Sequence, residues 1–232
     1  MSLTLVKDEP GIDTLPKLNL GCGLKPEKGF VNLDFFKSEG VDVVHDMTVT
    51  PWPFPDNHFG VISAEHVLEH IPMEFVPYGD RKVDALVAVM NEAWRVLAPG
   101  GRFLIQVPTV HGQGAFQDPT HRRFLCENSI YYFSRKPAFV EGTPDFEELN
   151  FQRYLAEKQV SFSVYSKMPL TDKNKAREDA KEWAMTEEGK PKEWNWSWYG
   201  ADIGCVARFD CIRAELDGPT AFMTFWLVKP KG

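Results

Sequence analysis

The sequence predicts an α/β domain: a mainly parallel sheet with helices on its faces, closed at the C-terminus by an antiparallel hairpin. Three observations carry this expectation. Short β-branched or aromatic runs recur through the first third of the chain, each bounded by Gly, Pro or Asp. A stretch of helical periodicity then leads into a further strand. Finally, two strand-like runs face each other across Asp217-Gly218-Pro219.

The elements follow in order. Lys17–Leu20 is the first strand and ends in a glycine turn, Phe30–Phe35 the second, Val41–His45 the third and Gly60–Ala64 the fourth. Only Gly23 to Phe30 separates the first two strands, so the first helix is expected to be abbreviated or replaced by a loop. From Asp80 to Leu97, residues Val83, Leu86, Val87, Met90, Ala93, Trp94 and Leu97 fall at three- and four-residue steps, which predicts a helix. Pro99-Gly100-Gly101 stops it, and Arg102–Val107 is the fifth strand. Alternation of this kind implies parallel strands with helical crossovers. The pattern loosens from His111 to Tyr199, with a charged helix-like stretch over Asp172–Glu188 and a tryptophan-rich one through Trp194, Trp196 and Trp198. Val206–Leu216 and Ala221–Lys229 form the closing hairpin, Val160–Tyr165 being a rival for its first strand.

Composition narrows the function. The 232 residues, 43% hydrophobic, suit one domain with a sizeable core. Apolar runs are broken before about 18 residues, so no membrane span is expected. Met1 to Pro16 lacks the pattern of a secretory signal. A net charge of −7 without a Lys/Arg cluster disfavours nucleic acid as partner. The four cysteines are scattered, which fits a reducing cytoplasm rather than a disulfide framework or a zinc site. His66 and His70 stand four apart with no third ligand in view, so no metal is expected. Oligomeric state is not legible.

The candidate ligand residues sit at strand ends. Gly21 and Gly23, spaced by one residue after the first strand, let the backbone turn tightly and approach a ligand without a Cβ in the way. Asp34 ends the second strand, where an acid can accept hydrogen bonds from both hydroxyls of a ribose. Asp46 follows the third, where an adenine amino group could be received. A glycine turn, a ribose acid and an adenine acid together describe an adenosine-bearing ligand.

Four blocks in this order, LNLGCG, GFVNLD, HDMTVTPWPFPDNHFGVISAEHVLEHI and NEAWRVLAPGGRFLIQVP, span Lys17 to Pro108. On them the chain resembles the class I S-adenosylmethionine-dependent methyltransferases, in the branch labelled type 11. The resemblance implies a Rossmann-like three-layer sandwich with a seven-stranded sheet, and S-adenosyl-L-methionine as cofactor. It implies that Gly21 and Gly23 turn beside the methionine part and that Asp34 holds the ribose. Asp46 and the backbone at Met47 would meet the adenine edge, and Glu65 and His66 would line the sulfonium end. The Arg95 to Gly101 block would be architectural. It also divides the domain into a cofactor half (17–110), a substrate-side insertion or lid (111–199) and the closing hairpin (200–232). Asn19 stands where an acid often precedes the glycine turn, and Pro26 where many relatives have a third glycine.

Beyond the four blocks, Asp118-Pro119-Thr120-His121 offers two proton acceptors, and a neutral imidazole suits that task near neutral pH. Asp118 and His121 are therefore the catalytic candidates. Methyl transfer is mainly a positioning problem, because the sulfonium is already a good electrophile. Aromatic faces favour that cation, which gives Trp52 and the Trp194 to Tyr199 cluster a candidate role. The acceptor is expected to be a small molecule or saccharide, with oxygen attack ahead of nitrogen. A catalytically silent binding subunit is the alternative. A nicotinamide enzyme fits poorly, because Pro26 replaces the third glycine and Asp34 comes too early. A DNA methyltransferase also fits poorly: Ala64-Glu65-His66-Val67 replaces the expected Pro-Pro turn, and no Pro-Cys pair exists.

Overall fold

The computed structural model describes residues 11–136, 151, 154–184, 186, 203–217 and 222–231. The chain divides into two compact units, one of residues 1–138 with 195–232 and the other of residues 139–194.

The described residues of the first unit contain ten strands: β1 (Lys17–Leu20), β2 (Val31–Asp34), β3 (Val43–Val44), β4 (Phe59–Glu65), β5 (Phe75–Tyr78), β6 (Arg81–Asp84), β7 (Leu97–Pro108), β8 (Ser134–Lys136), β9 (Phe209–Asp217) and β10 (Phe222–Val228). Eight of these form the main sheet in the order β3-β2-β1-β4-β7-β10-β9-β8, and β5 and β6 form a separate hairpin. β1 to β4 and β7 pair in parallel, while β10 runs antiparallel between β7 and β9. This is the Rossmann-like α/β class with its closing hairpin. The short β8, parallel to β9, adds an eighth strand at the edge beyond the expected seven.

Burial explains the register. Leu18, Leu20, Leu33, Ile62, Phe103, Val107 and Leu227 are fully buried, on strands whose alternation turns these side chains to the core. The helical layers are thin. Among the described residues of this unit the α-helices are α1 (Ala85–Val96) and the single-turn α2 (Gly114–Gln117). The link from β1 to β2 contains turns only, as the short spacing predicts.

Buried asparagine replaces the missing helix there. The Asn32 side chain accepts from the Glu27 amide at 2.7 Å and donates to the Glu27 and Phe30 carbonyls, while its own amide donates to Asp42. Asn19 donates to Asn32 Oδ1 at 3.0 Å and to the Lys25 carbonyl at 3.3 Å. These side-chain bonds satisfy loop backbone groups that a helix would have paired internally.

Helix α1 begins later than its periodicity predicts. Arg81–Asp84 pairs antiparallel with Phe75–Tyr78 around Gly79 and Asp80, so the stretch expected to be the first helical turn is a strand. Asp84 starts the helix as its N-cap, accepting from the Leu86 amide at 2.9 Å. A helical period reads which residues face the core, and Val83 does so from a strand equally well.

A buried ion pair fastens the far end of α1. Glu92 is 2% exposed and accepts from the Trp52 amide at 2.7 Å and from Arg95 at 2.7 to 3.1 Å. Arg95 also donates to the Phe54 and Trp52 carbonyls and pairs with Asp56. Hydrogen bonding to Glu92 raises the Arg95 pKa above its ordinary value. The tryptophan itself is 2% exposed, with its indole N–H on the Met47 carbonyl at 2.8 Å. Trp52 is thus a core residue and offers no open face to a cation, a correction to its candidate role.

In the second unit, α3 (Phe162–Ser166) and α4 (Leu170–Ala184) surround a small core of Phe151, Leu155, Tyr165 and Ala180. The charged stretch is helical as expected, from Leu170. Val160–Tyr165 contributes to helix rather than to the hairpin, because Ser161 caps α3 by accepting from the Val164 amide. The Trp194 to Tyr199 cluster lies outside the described residues.

Arg95→Ala should destabilise the chain by about 3–5 kcal/mol in urea unfolding, because it leaves the buried Glu92 carboxylate without its cation. A loss below about 1 kcal/mol would show that the pair is not what holds the Trp52 to Asp56 loop.

Candidate functional site

Because β1, β2, β3, β4 and β7 are parallel, their carboxyl ends share one edge of the sheet. Strand order reverses between β1 and β4, and ligands of open α/β sheets bind outside such a reversal. The loops after these two strands meet there. Gly21 has φ +68°, and a Cβ on it would lie 2.7 Å from Val67 Cγ2. Gly23 has φ +53°, yet a Cβ there would meet nothing within 4 Å. The first glycine is required by packing; the second borders open space.

Asp34 closes the turn from the neighbouring strand. One carboxylate oxygen accepts from the Gly23 amide at 2.8 Å and the other from the Phe36 amide at 3.0 Å. An ionised carboxylate offers about four acceptor sites, so capacity remains for a ligand. Asp46 lies beyond β3, where its Oδ1 accepts from the Thr48 amide at 2.9 Å and the Thr48 hydroxyl at 2.8 Å. Met47 follows, its carbonyl taken by Trp52. The Cys22 thiol, inside the turn, is pushed up in pKa by burial and then by Asp34, which makes it a poor nucleophile.

Glu65 ends β4 and is exposed. His66 adopts φ +55°, rare for a side chain with a Cβ, while its amide donates to the Gln106 carbonyl at 2.9 Å. Its ring stands edge-to-face on Phe222 at 4.7 Å, and Nδ1 lies 3.3 Å from Glu69 Oε1.

The Asp118 to Arg123 segment is bound to the turn after β4. The amides of Arg122 and Arg123 donate to the Glu69 carbonyl at 2.7 and 2.9 Å. Arg123 donates to the Ile71 and Pro72 carbonyls and, at 3.0 Å, to Asp84, the α1 cap. These bonds bring His121 beside His70, ring on ring at 4.8 Å. His121 Nδ1 lies 3.0 Å from the Ala115 carbonyl, and its Nε2 3.8 Å from Asp118 Oδ2. The Thr120 hydroxyl, then the Thr120 amide, hold the Asp118 carboxyl below the ordinary aspartate range.

The structure therefore groups the predicted residues in two sets, one along β1 to β3 and one after β4 and β7. Sequence reasoning missed Asn32, Thr120 and Glu69. Glu69 is fully buried in a single 3-10 turn, Leu68–His70. A cleft of about 520 Å³ lined by Phe75, Leu86, Val87, Leu125 and Phe133 includes none of the predicted site residues. Among the described residues no helix is long and apolar enough to cross a membrane.

Comparison with known proteins agrees with the blocks. Residues 22–105 match the family described as a methyltransferase domain, type 11. No curated protein sequence matches the chain. Among solved structures it is similar to phosphoethanolamine N-methyltransferase 2 of Haemonchus contortus in complex with phosphomonomethylethanolamine and S-adenosylhomocysteine. That alignment has 16% identity, covers 94% of this chain and 49% of that one, and gives a TM-score of 0.41. A SAM-dependent methyltransferase from Archaeoglobus fulgidus is 15% identical over 94% of this chain and 88% of its own, with a TM-score of 0.44. The 1,6-didemethyltoxoflavin-N1-methyltransferase of Burkholderia thailandensis is 12% identical over 94% and 72%, with a TM-score of 0.41. The chain spans about half the length of the Haemonchus protein. The family match, over residues 22–105, falls on the same stretch as the four blocks that carry the resemblance.

Proposed function

We propose that the chain transfers a methyl group from S-adenosylmethionine to a small-molecule or saccharide-like acceptor, with a hydroxyl favoured over an amine. The observation that carries this reading is the shared strand edge. Gly21 and Gly23 after β1, Asp34 at the end of β2 and Asp46 after β3 lie in the order in which methionine, ribose and adenine follow one another in the cofactor. Asp34 takes the ribose hydroxyls with the acceptor sites it does not use on Gly23 and Phe36. Asp46 and the backbone at Met47 take the adenine edge. Glu65 and His66 border the sulfonium from the end of β4.

In the transfer, the acceptor oxygen attacks the methyl carbon in line with the carbon–sulfur bond. That bond's electron pair stays on sulfur, leaving S-adenosylhomocysteine, and the acceptor's proton must go to a base. His121 suits this role. Its Nδ1 proton is fixed on the Ala115 carbonyl, so the Nε2 lone pair is the free one. Asp118, held ionised by Thr120, is a weaker base and acts by favouring the imidazolium. The division into cofactor half (17–110), substrate-side insertion (111–199) and closing hairpin (200–232) belongs to the same proposal. So does a cytoplasmic location without a nucleic-acid substrate, supported by the net charge of −7 and four free cysteines.

Titration calorimetry with S-adenosylmethionine and S-adenosylhomocysteine tests the reading. Micromolar binding that Asp34→Ala weakens ten-fold or more, about 1.4 kcal/mol, is the expected result. Absence of binding by both ligands would overturn the enzyme reading in favour of a silent binding subunit.

The two glycines should respond differently. Gly21→Ala is expected to lower stability, measured by thermal unfolding, since its Cβ collides with Val67. Gly23→Ala is expected to weaken S-adenosylhomocysteine binding with a smaller stability loss, because its Cβ enters open space. Equal losses of stability without a binding change at Gly23 would remove that glycine from the cofactor site.

Once an acceptor is in hand, the pH–rate profile separates the two candidate bases. His121→Gln should abolish the acid limb, whereas Asp118→Asn should move it without removing it. An unchanged limb in His121→Gln would exclude His121 as the base.

A further inference from the structure

We propose that Glu69, His70 and His121 bind one divalent transition-metal ion of the zinc class, at the junction of the turn after β4 with the Asp118 to Arg123 segment. One carboxylate oxygen of Glu69 and one ring nitrogen from each histidine lie within 4.8 Å of one another. Two imidazoles and a carboxylate form a donor set that suits zinc, and it leaves coordination positions open.

Burial of Glu69 is the independent observation. The residue is 0% exposed, and its Oε2 has no hydrogen-bond partner among the described residues. Its other oxygen faces His66 Nδ1 at 3.3 Å. A buried carboxylate oxygen without a partner is costly, and a cation held between it and two rings removes that cost.

The surrounding hydrogen bonds prepare both rings as ligands. The Ala115 carbonyl can only accept, so His121 carries its proton on Nδ1 and presents the Nε2 lone pair. The Thr120 hydroxyl donates to Asp118 Oδ1 at 2.6 Å. Thr120 Oγ1 therefore accepts from His70 Nδ1 at 3.1 Å, which leaves Nε2 of His70 with its lone pair as well. Metal-binding histidines are held in this manner, with the second nitrogen donating to a carbonyl or other oxygen. Asp118 Oδ2, 3.8 Å from His121 Nε2, stands beside the set as a further oxygen donor.

This site lies outside the residues assigned to the cofactor and does not rest on the transfer reaction. It shares His121 with that proposal. A metal on Nε2 occupies the lone pair that would otherwise take a proton, so the two uses exclude each other at one instant.

The test is calorimetric titration of the full chain, stripped with chelator and dialysed, with zinc and separately with magnesium. One equivalent of zinc should bind, and magnesium should not, because it prefers an all-oxygen shell. His70→Ala and His121→Ala should each weaken zinc binding ten-fold or more, while His58→Ala, away from the cluster, should not. The exposed His70 makes its variant the one least able to disturb folding. Zinc binding that His70→Ala leaves unchanged would overturn the inference, as would no stoichiometric uptake. S-adenosylhomocysteine titrated into the same samples separates the proposals. Cofactor binding without zinc uptake overturns only the metal site, and zinc uptake without cofactor binding overturns only the methyltransferase reading.

Discussion

Everything at the candidate site depends on the parallel pairing of β1 with β2 on one side and β4 on the other. Parallel strands end on the same edge, so three stretches of sequence far apart in the chain deliver their loops to one place. The constraint is tight because one face of β1 is fully buried, at Leu18 and Leu20. A one-residue slip would turn those leucines to the opposite face. It would also displace Gly21 from Val67, where only a residue without a Cβ fits. Register, core and ligand edge are thus one constraint seen at three scales.

Helices ordinarily hold the loops of such a sheet, and here most of that work falls to buried polar side chains. Asn32 anchors the turn between β1 and β2, and Glu92 with Arg95 anchors the loop from Trp52 to Asp56. Asn91 does the same at the other end of the fold, bonding the Gly204 carbonyl and the Val206 and Ala207 amides from within α1. Asn32, Asn91 and Glu92 are buried, Arg95 is half-buried, and each is bonded on more than one atom. Such networks are directional, so they fix loop geometry more sharply than apolar contact does. They also lose stability steeply when one member is removed.

The strand positions were legible because period-two burial and turn residues are local signals. The four blocks were legible because each is a run of adjacent residues whose order survives without a structure. What escaped was long-range or ambiguous in period. Val83 faces the core from β6 as it would from a helix, so periodicity could not separate the two. Asn32 looked like an ordinary strand residue, since its partners Glu27 and Asp42 are set by turns. Glu69 was the hardest. His66 and His70 stand four apart in the chain, whereas the ring beside His70 is His121, delivered by Arg122 and Arg123 amides on the Glu69 carbonyl. An Asp-Pro-Thr-His element near a Glu-His pair was the available signal, and chain distance hid it.

The hydrogen-bond directions around Thr120 carry the last step. The Thr120 hydroxyl donates to Asp118, which sets the tautomer of His70, while the Ala115 carbonyl sets that of His121. His70 and His121 then each keep a lone pair on Nε2, and both rings stand close to the Glu69 carboxylate. Two lone pairs and a carboxylate oxygen without a donor form an electron-rich pocket that favours a proton, a cation or an acceptor hydroxyl over an anion. Were Thr120 replaced by valine, Asp118 would lose the hydroxyl donor and keep only the backbone amide of residue 120, and His70 would lose its acceptor. The ring would then be free to change tautomer, and the pocket would lose its single polarity. The threonine, quoted in the sequence only as a spacer between Asp118 and His121, thus sets the polarity around His70.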